Sequence, residues 1–403
     1  MSSPAALRRE APLWLLVLIT LSGTLAMHMF VPALPDAARS LGVGSAAVQA
    51  TIGIYIMGLA LGQLVYGPLS DALGRRPLLL AGLALYTLGS IAALLAPNVT
   101  ALIVARALQA LGGCAGLALG RAMVRDANSA DAAVRALALL NLMMMAGPGI
   151  APLIGSGLVM LQGWRAVFAA LALMGAATLA LAWRMAPETC MPTGRVSVRG
   201  LARDYAVLLR SRAFLAFAVG GGCATTSTYA FIAAAPFIII EQLHKPLRDV
   251  GVCLFLVMIG AAIGNALTRR LAQSERLVNQ LLLWGNAASM IGAAAFLALE
   301  LAGHLNLEAT VGLMLLFAVG SGVSSPAMMS KVLAVDAHHV GSAAGLYGFT
   351  QMGLGAMFSM LVGWGSNPAI ASACLLLGAA VVAQCCVRLG LRSEHHARHH
   401  VYP

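Results

Sequence analysis

Arginine 106 stands in the apolar run Ala101-Leu102-Ile103-Val104-Ala105-Arg106-Ala107-Leu108, with Gln109 about one helical turn beyond it. A guanidinium stays charged at physiological pH, and within hydrocarbon it is costly unless paired, hydrated or turned toward an internal route. That suits binding of a polar or anionic group, or coupling to a proton, and not covalent chemistry. The plainer reading is an arginine tied to helix-end carbonyls and lipid headgroups. His28, within Met27-His28-Met29-Phe30, adds a group that changes protonation near neutral pH. It can bind substrate, move a proton, or pack as a neutral hydrogen-bonded imidazole. Met27 and Phe30 offer soft contact to a variable ligand, although such pairs more often fill a core.

Farther along, Thr225-Thr226-Ser227-Thr228-Tyr229 forms a polar band inside an apolar stretch. Some of these hydroxyls are expected to bond their own helix carbonyls. Tyr229 is the preferred ligand-facing residue here, with Asn265, Asn286 and Gln351 as weaker polar candidates that orient a largely apolar molecule without burying a charge pair. Asp36 reads as an ordinary loop carboxylate beside Arg39 or as a proton-exchanging group; Glu300, His304 and Glu308 read as an interfacial rim. His395-His396-Ala397-Arg398-His399-His400 reads as a solvated tail. The seven cysteines form no metal-spaced cluster, and no Gly-x-x-x-x-Gly-Lys-Ser/Thr loop or nucleophile–base–orienter pattern is present. The expectation is therefore no enzyme, no metal and no cofactor.

These residues must be positioned by helices in a bilayer. With 60% hydrophobic and only 10% charged residues, the chain suits lipid better than a water-soluble globule. Twelve apolar stretches fall at 12–34, 46–69, 77–97, 99–120, 136–159, 164–183, 213–239, 250–268, 277–302, 307–330, 341–363 and 367–387, each near the ~20 residues that cross a bilayer. Outside the spans, only Arg39, Arg165, Lys245 and Arg248 among the cationic residues fall in odd-numbered turns, which puts both termini in the cytoplasm. The formal charge of +11 follows from that topology and from attraction to anionic lipid, so no nucleic-acid partner is implied. The expected fold is an all-α membrane protein of twelve transmembrane helices in two six-helix bundles. Its parts are an amino-terminal cytoplasmic segment 1–11, a bundle 12–183, a cytoplasmic linker 184–212, a second bundle 213–387 and a cytoplasmic tail 388–403. Pro187 and Pro192 end the sixth helix, and an amphipathic piece is expected around Gly200–Leu209.

Two segments read as conformational control. Between the second and third spans, Gly67-Pro68-Leu69-Ser70-Asp71-Ala72-Leu73-Gly74-Arg75-Arg76-Pro77 makes a short, charge-rich turn. Gly67 and Gly74 permit a tight turn, Asp71 can bond amides or an arginine, and Arg75 and Arg76 anchor at the anionic face; a simple positive-inside turn and a conformational latch are equally served. In the fifth span, Gly147, Pro148, Pro152 and Gly155 permit close packing and bending.

The Gly67–Pro77 segment resembles the signature between helices two and three of the major facilitator superfamily. Arg106–Gly113 resembles that family's fourth-helix arginine motif, and Asn141–Gly155 the fifth-helix motif of its drug/proton antiporters. Val31-Pro32-Ala33-Leu34-Pro35, Gly163-Trp164-Arg165, Pro187-Glu188-Thr189, Ala235-Pro236-Phe237, Gly341–Leu346, Gln351 and Gly355 extend the likeness, which is similar in detail to Bcr/CflA-type bacterial multidrug transporters. The resemblance implies the major facilitator fold and proton-coupled export of small amphipathic compounds or antibiotics by a monomer in the bacterial inner membrane. One departure stands out: His28 occupies the region of the first helix where such transporters commonly carry an acid. Export of one specific metabolite, such as an amino-acid-related compound, is the alternative, and a non-transporting sensor or scaffold is the rival from another class.

Overall fold

In hydrocarbon an unpaired backbone N–H or C=O has no water to turn to, so long apolar runs fold as helices that satisfy their own backbone. The computed structural model describes residues 11–127, 130–194, 198–335 and 340–401. Arg8, Arg9 and Arg195, with the side chains of Asn141, Arg199 and His395–His400, lie outside the described residues. Eleven helical segments among the described residues are long and apolar enough to cross a membrane. The expected span 341–363 is also helical, over Val340–Leu361, but is not one of the eleven. The six glycines of 341–363, with Ser342, Thr350 and Gln351, dilute its apolar content.

Leu88, Leu173, Trp284 and Ile291 are exposed, whereas Ser90, Arg106, Gln109 and Thr178 are buried. That inversion of the usual soluble pattern fits helices whose outer faces meet lipid. The chain is a multi-pass membrane protein.

Two compact units, Met1–Ser197 and Val198–Pro403, divide it. In the first, α1 (Leu13–Phe30) passes through a 3-10 turn at Val31–Ala33 into α2 (Leu34–Leu41). Pro32 and Pro35 thus tighten the chain without ending its helical course. Asp36 corrects its loop assignment: it lies in the first turn of α2, 3.5 Å from Arg39, and its Oδ2 accepts the backbone N–H of Trp164 at 2.9 Å. It thereby caps α7 (Trp164–Met185). Between these run α3 (Ser45–Leu73), α4 (Arg75–Leu94), α5 (Val99–Ala127) and α6 (Ala130–Gln162). Helix α5 packs against α1, α3 and α4, and α6 against α1. A Cβ on Gly23 of α1 would stand 2.7 Å from the Gly113 carbonyl of α5, so these backbones meet through absent side chains. Helix α7 ends at Met185, with Ala186 extended as the residue before proline must be.

The second unit begins with α8 (Val198–Arg210), where the amphipathic piece is expected, and Ser211 then caps α9 (Arg212–Thr226). The seventh stretch is not one helix. It breaks at Ser227 into α10 (Thr228–Phe237), and beyond Pro236 it widens into a π-helical turn at Ile238–Gln242. Thr225 and Thr226 donate to the carbonyls of Gly221 and Gly222 at 2.7 and 2.8 Å, competing with the backbone ladder just before the break. Then follow α11 (Leu247–Leu271), α12 (Glu275–Leu301), α13 (Leu307–Ala334), α14 (Val340–Leu361) and α15 (Pro368–Val401). Helix α13 packs on α9, α11 and α12, and α9 on α14 and α15.

Candidate functional site

Arg106 is fully buried in the first unit. Its Nη1 donates to the Ala26 carbonyl at 3.1 Å and to Gln109 Oε1 at 2.6 Å. The Gln109 amide passes the polarity on, donating from Nε2 to Ser90 Oγ at 2.8 Å, and Ser90 donates to the Tyr86 carbonyl at 2.8 Å. Above the guanidinium carbon the Tyr55 ring centroid lies 4.0 Å away, with Phe30 at 5.4 Å and Phe168 at 5.8 Å. Tyr55 is fixed in turn, its hydroxyl donating to the Gly23 carbonyl at 2.6 Å. Aromatic faces stabilise a cation in a dry site, where the effect is larger than at a surface. Nε and Nη2 have no hydrogen-bond partner, and among the described residues no carboxylate lies within ion-pairing distance.

His28 and Met27 are buried on α1, within two residues of the carbonyl that takes Arg106. Phe30 joins the ring cluster directly, its centroid 4.7 Å from Phe168 and 6.5 Å from Trp164. The structure thus gathers Arg106, Gln109 and Phe30 with three residues the sequence did not single out: Tyr55, Ser90 and Phe168. Aromatic and serine residues are common in apolar helices, and only their meeting with Arg106 and Phe30 across five helices marks these.

A second constellation forms at the α3–α4 junction. Gly74 has φ 99°, a conformation that disfavours a side chain, and a Cβ there would stand 2.6 Å from Glu188 Oε2. Arg75, nearly buried, pairs with Asp71 at 2.7 Å and Asp126 at 3.0 Å and donates to Ser70 Oγ. Glu188 accepts the backbone N–H groups of Arg75 and Arg76 at 2.9 and 3.2 Å, while Arg76 Nη2 donates to the Trp183 carbonyl at 2.8 Å. Behind the turn, the N–H groups of Thr193 and Gly194 donate to the Asp71 and Ala72 carbonyls at 3.0 and 3.1 Å. Gly67 contributes its carbonyl to Ser70 Oγ at 2.8 Å. Asp126 was absent from the sequence expectation; its only signal is an acid beside Arg125 near the end of α5.

On α6, Pro148 and Pro152 lie inside a continuous helix. A Cβ on Gly155 would strike the Met29 carbonyl, and one on Gly147 would stand 2.6 Å from Leu21 Cδ2. The motif therefore seats α6 on α1 between Leu21 and Met29.

In the second unit the candidate ligand-facing residues are neutral. Gln351 Nε2 donates to Thr225 Oγ1 at 2.6 Å, and Thr226 Oγ1 stands 2.8 Å from the Gln351 carbonyl. Ser321 Oγ reaches the Thr225 carbonyl at 3.4 Å. Tyr229 packs beside Gly355 with Thr226. Asn286 is buried and accepts from Ser324 at 3.3 Å, with its Nδ2 unpartnered. Asn265 bonds the Ala261 carbonyl of its own helix at 3.0 Å. Gln351 and Tyr229 thus share one cluster, while Asn265 and Asn286 are engaged elsewhere, on α11 and between α12 and α13. Glu300 accepts from Asn367 Nδ2 at 2.8 Å.

Residues 16–383 match the sequence profile of the Major Facilitator Superfamily. The chain belongs to that family. This Major Facilitator Superfamily chain is 27% identical over 390 residues to an uncharacterized MFS-type transporter, YdgK, of Bacillus subtilis, covering 94% of this chain and 95% of that one. It is 30% identical over 357 residues to the multidrug transporter MdfA of Shigella boydii, covering 87% and 86%. A bacterial homologue of the human lysosomal transporter Spinster, solved inward-facing and occupied, shares the fold with a TM-score of 0.71 at 14% identity, over 95% of this chain and 96% of that one. A D-xylose–proton symporter aligns with a TM-score of 0.69 at 13% identity, covering 92% and 96%. Membership makes this chain a transporter and not an enzyme, and relates it to multidrug transporters.

Proposed function

We propose that the protein exports small amphipathic compounds, antibiotics among them, in exchange for protons by alternating access. The observation that carries this reading is the fully buried Arg106, held by Gln109 and by the carbonyl of Ala26, two residues before His28, in a chain related to the multidrug transporter MdfA. In this proposal Arg106 is the electrostatic centre, His28 the titrating or recognising group, and Met27 and Phe30 apolar contacts. Tyr229 and Gln351, with Asn265 and Asn286, supply neutral polar contacts from the second unit. Differential binding of substrate and proton to two conformations couples their movements. Gly67, Asp71, Gly74, Arg75 and Arg76 make and break the α3–α4 network, and Gly147, Pro148, Pro152 and Gly155 let α6 bend and slide on α1.

The same proposal completes the fold as twelve spans in two six-helix bundles, 12–183 and 213–387, with both termini cytoplasmic in a bacterial inner membrane, working as a monomer. The quoted motifs favour the Bcr/CflA-type group within the family. Proteoliposomes with an imposed proton gradient, screened against neutral drugs, organic cations, organic anions and amino-acid derivatives, test the reading. Gradient-dependent flux is expected. Flux indifferent to the gradient makes the protein a facilitator, and binding without flux makes it a sensor.

A further inference from the structure

The first unit buries a permanent cation, and none of its described residues supplies an anion to match it. Its described acidic side chains are all engaged at helix ends: Asp36 with Arg39 and the Trp164 amide, Asp71 and Asp126 with Arg75, and Glu188 with the amides of Arg75 and Arg76. Arg106 is instead held by two neutral acceptors, both on Nη1. The nitrogens left without an acceptor are Nε and Nη2. They form one edge of the guanidinium, and their parallel N–H groups match the two oxygens of a carboxylate in side-on, bidentate geometry. A single positive charge in a dry, aromatic surrounding calls for a single negative one. Because Arg106 is fully covered, an anion reaches that edge only when a neighbouring ring moves.

We propose that Arg106 anchors a carboxylate carried by the transported molecule. The substrate is then a monoanionic amphipathic compound whose acid binds Nε and Nη2 and whose apolar body packs among Phe30, Tyr55 and Phe168. This rests on the reading above that the chain moves small amphipathic molecules, and it narrows their chemical class.

The test compares acids with their own amides, which keep shape and hydrogen bonding but lose the charge. Purified full-length protein in detergent is titrated with phenylacetate, indole-3-acetate, phenylacetamide, indole-3-acetamide, tetraphenylphosphonium and sodium chloride, with thermal protection as readout. At least one acid is expected to protect at a concentration about tenfold or more below that of its amide, the scale of a lost charge-assisted hydrogen bond. Arg106→Gln should abolish that preference, and Arg106→Lys, which keeps the charge without the fork, should restore only part of it. Equal protection by acid and amide, protection by tetraphenylphosphonium or chloride alone, or none by either acid would overturn the proposal; this comparison needs no variant to fold. Counterflow in proteoliposomes separates the two readings. Acid binding without flux sinks transport and keeps the site, whereas flux of cations without acid binding does the reverse.

Discussion

Two glutamines organise the polar interiors of the two units, and they do so with different chemistry. Gln109 links a guanidinium to a hydroxyl, accepting from Arg106 and donating to Ser90. Gln351 links to hydroxyls, donating to Thr225, which donates onward to the Gly221 carbonyl. The first chain orients a charge whose burial is expensive; the second orients neutral dipoles beside a helix break. A fixed charge changes energy steeply when an ion approaches or leaves, while a hydroxyl cluster discriminates shape and hydrogen bonding at lower stakes. In the proposed mechanism the first unit therefore supplies the charged anchor and the coupling group, and the second unit adds neutral, more tolerant contacts.

The sharpest way to break that comparison is to remove each centre separately. Arg106→Ala should insert normally yet lose about 90% or more of proton-coupled flux, since the interaction removed is worth on the order of 1.5–3 kcal/mol. Gln351→Leu should retain coupling and change flux only about two- to fivefold, in proportion to a neutral hydrogen bond. Initial rates in proteoliposomes, normalised to correctly inserted protein, decide it. Full coupled flux in Arg106→Ala would remove the charge from the mechanism.

The helix junctions extend the comparison. In the first unit, Arg75 joins two acids and Ser70, and Glu188 holds the turn's amides. In the second, Lys331 pairs with Glu275 at 3.1 Å. Both cations are nearly buried, but Asp126 is far less exposed than Glu275 and is left with a poorer alternative partner. Arg75→Gln should consequently cost about 1.5–3 kcal/mol of stability and slow transport severalfold, with Lys331→Gln costing about half as much. Thermal unfolding of the two variants side by side measures the difference; equal losses would deny the first junction its special standing.

His28 probes the boundary between coupling and recognition. His28→Gln keeps polarity but removes the titratable imidazole, so the pH dependence of flux between about pH 5.5 and 8 should flatten by at least half while insertion is unchanged. If the slope persists but the substrate spectrum shifts, His28 recognises substrate and Arg106 couples without it. His28→Asp, which places a titratable acid at this position, should restore the gradient-dependent flux lost in His28→Gln if the position couples protons.

Much of this was readable in advance because the bilayer imposes few rules and imposes them strictly. Long apolar runs gave helices, and a lone arginine in one of them marked Arg106 as a charge that must be paired, hydrated or held by carbonyls. The span 341–363 was harder to classify, since glycine and polar residues lower its apolarity while leaving it helical. Local patterns hid three features. The Ser227 break comes from threonines bonding back to their own carbonyls, with no proline at the site. The ring cluster on Arg106 draws Tyr55 and Phe168 from helices distant in sequence. Asp126 sits beside Arg125, so its partnership with Arg75, 51 residues away, is a property of packing alone.

The smallest expected effect lies at Cys190, whose amide donates to Glu188 at 3.2 Å beside the same junction. Burial first, and then the nearby acids Asp126, Asp71 and Glu188, push its thiol above the ordinary cysteine range, with Arg75 pulling the other way. Only the thiolate reacts with maleimide, so Cys190 should label slowly at pH 7 and faster by nearly tenfold per pH unit as pH rises toward the raised value. Glu188→Gln removes one negative charge and weakens the acceptor for the Arg75, Arg76 and Cys190 amides. Labelling at pH 7 should then quicken by about two- to threefold, a change of under half a pKa unit. Peptide mapping by mass spectrometry reads Cys190 apart from the cysteines of α15. A variant that labels at the wild-type rate would mean that Glu188 neither holds the turn closed nor sets the field around it, and the first junction would rest on Arg75 alone.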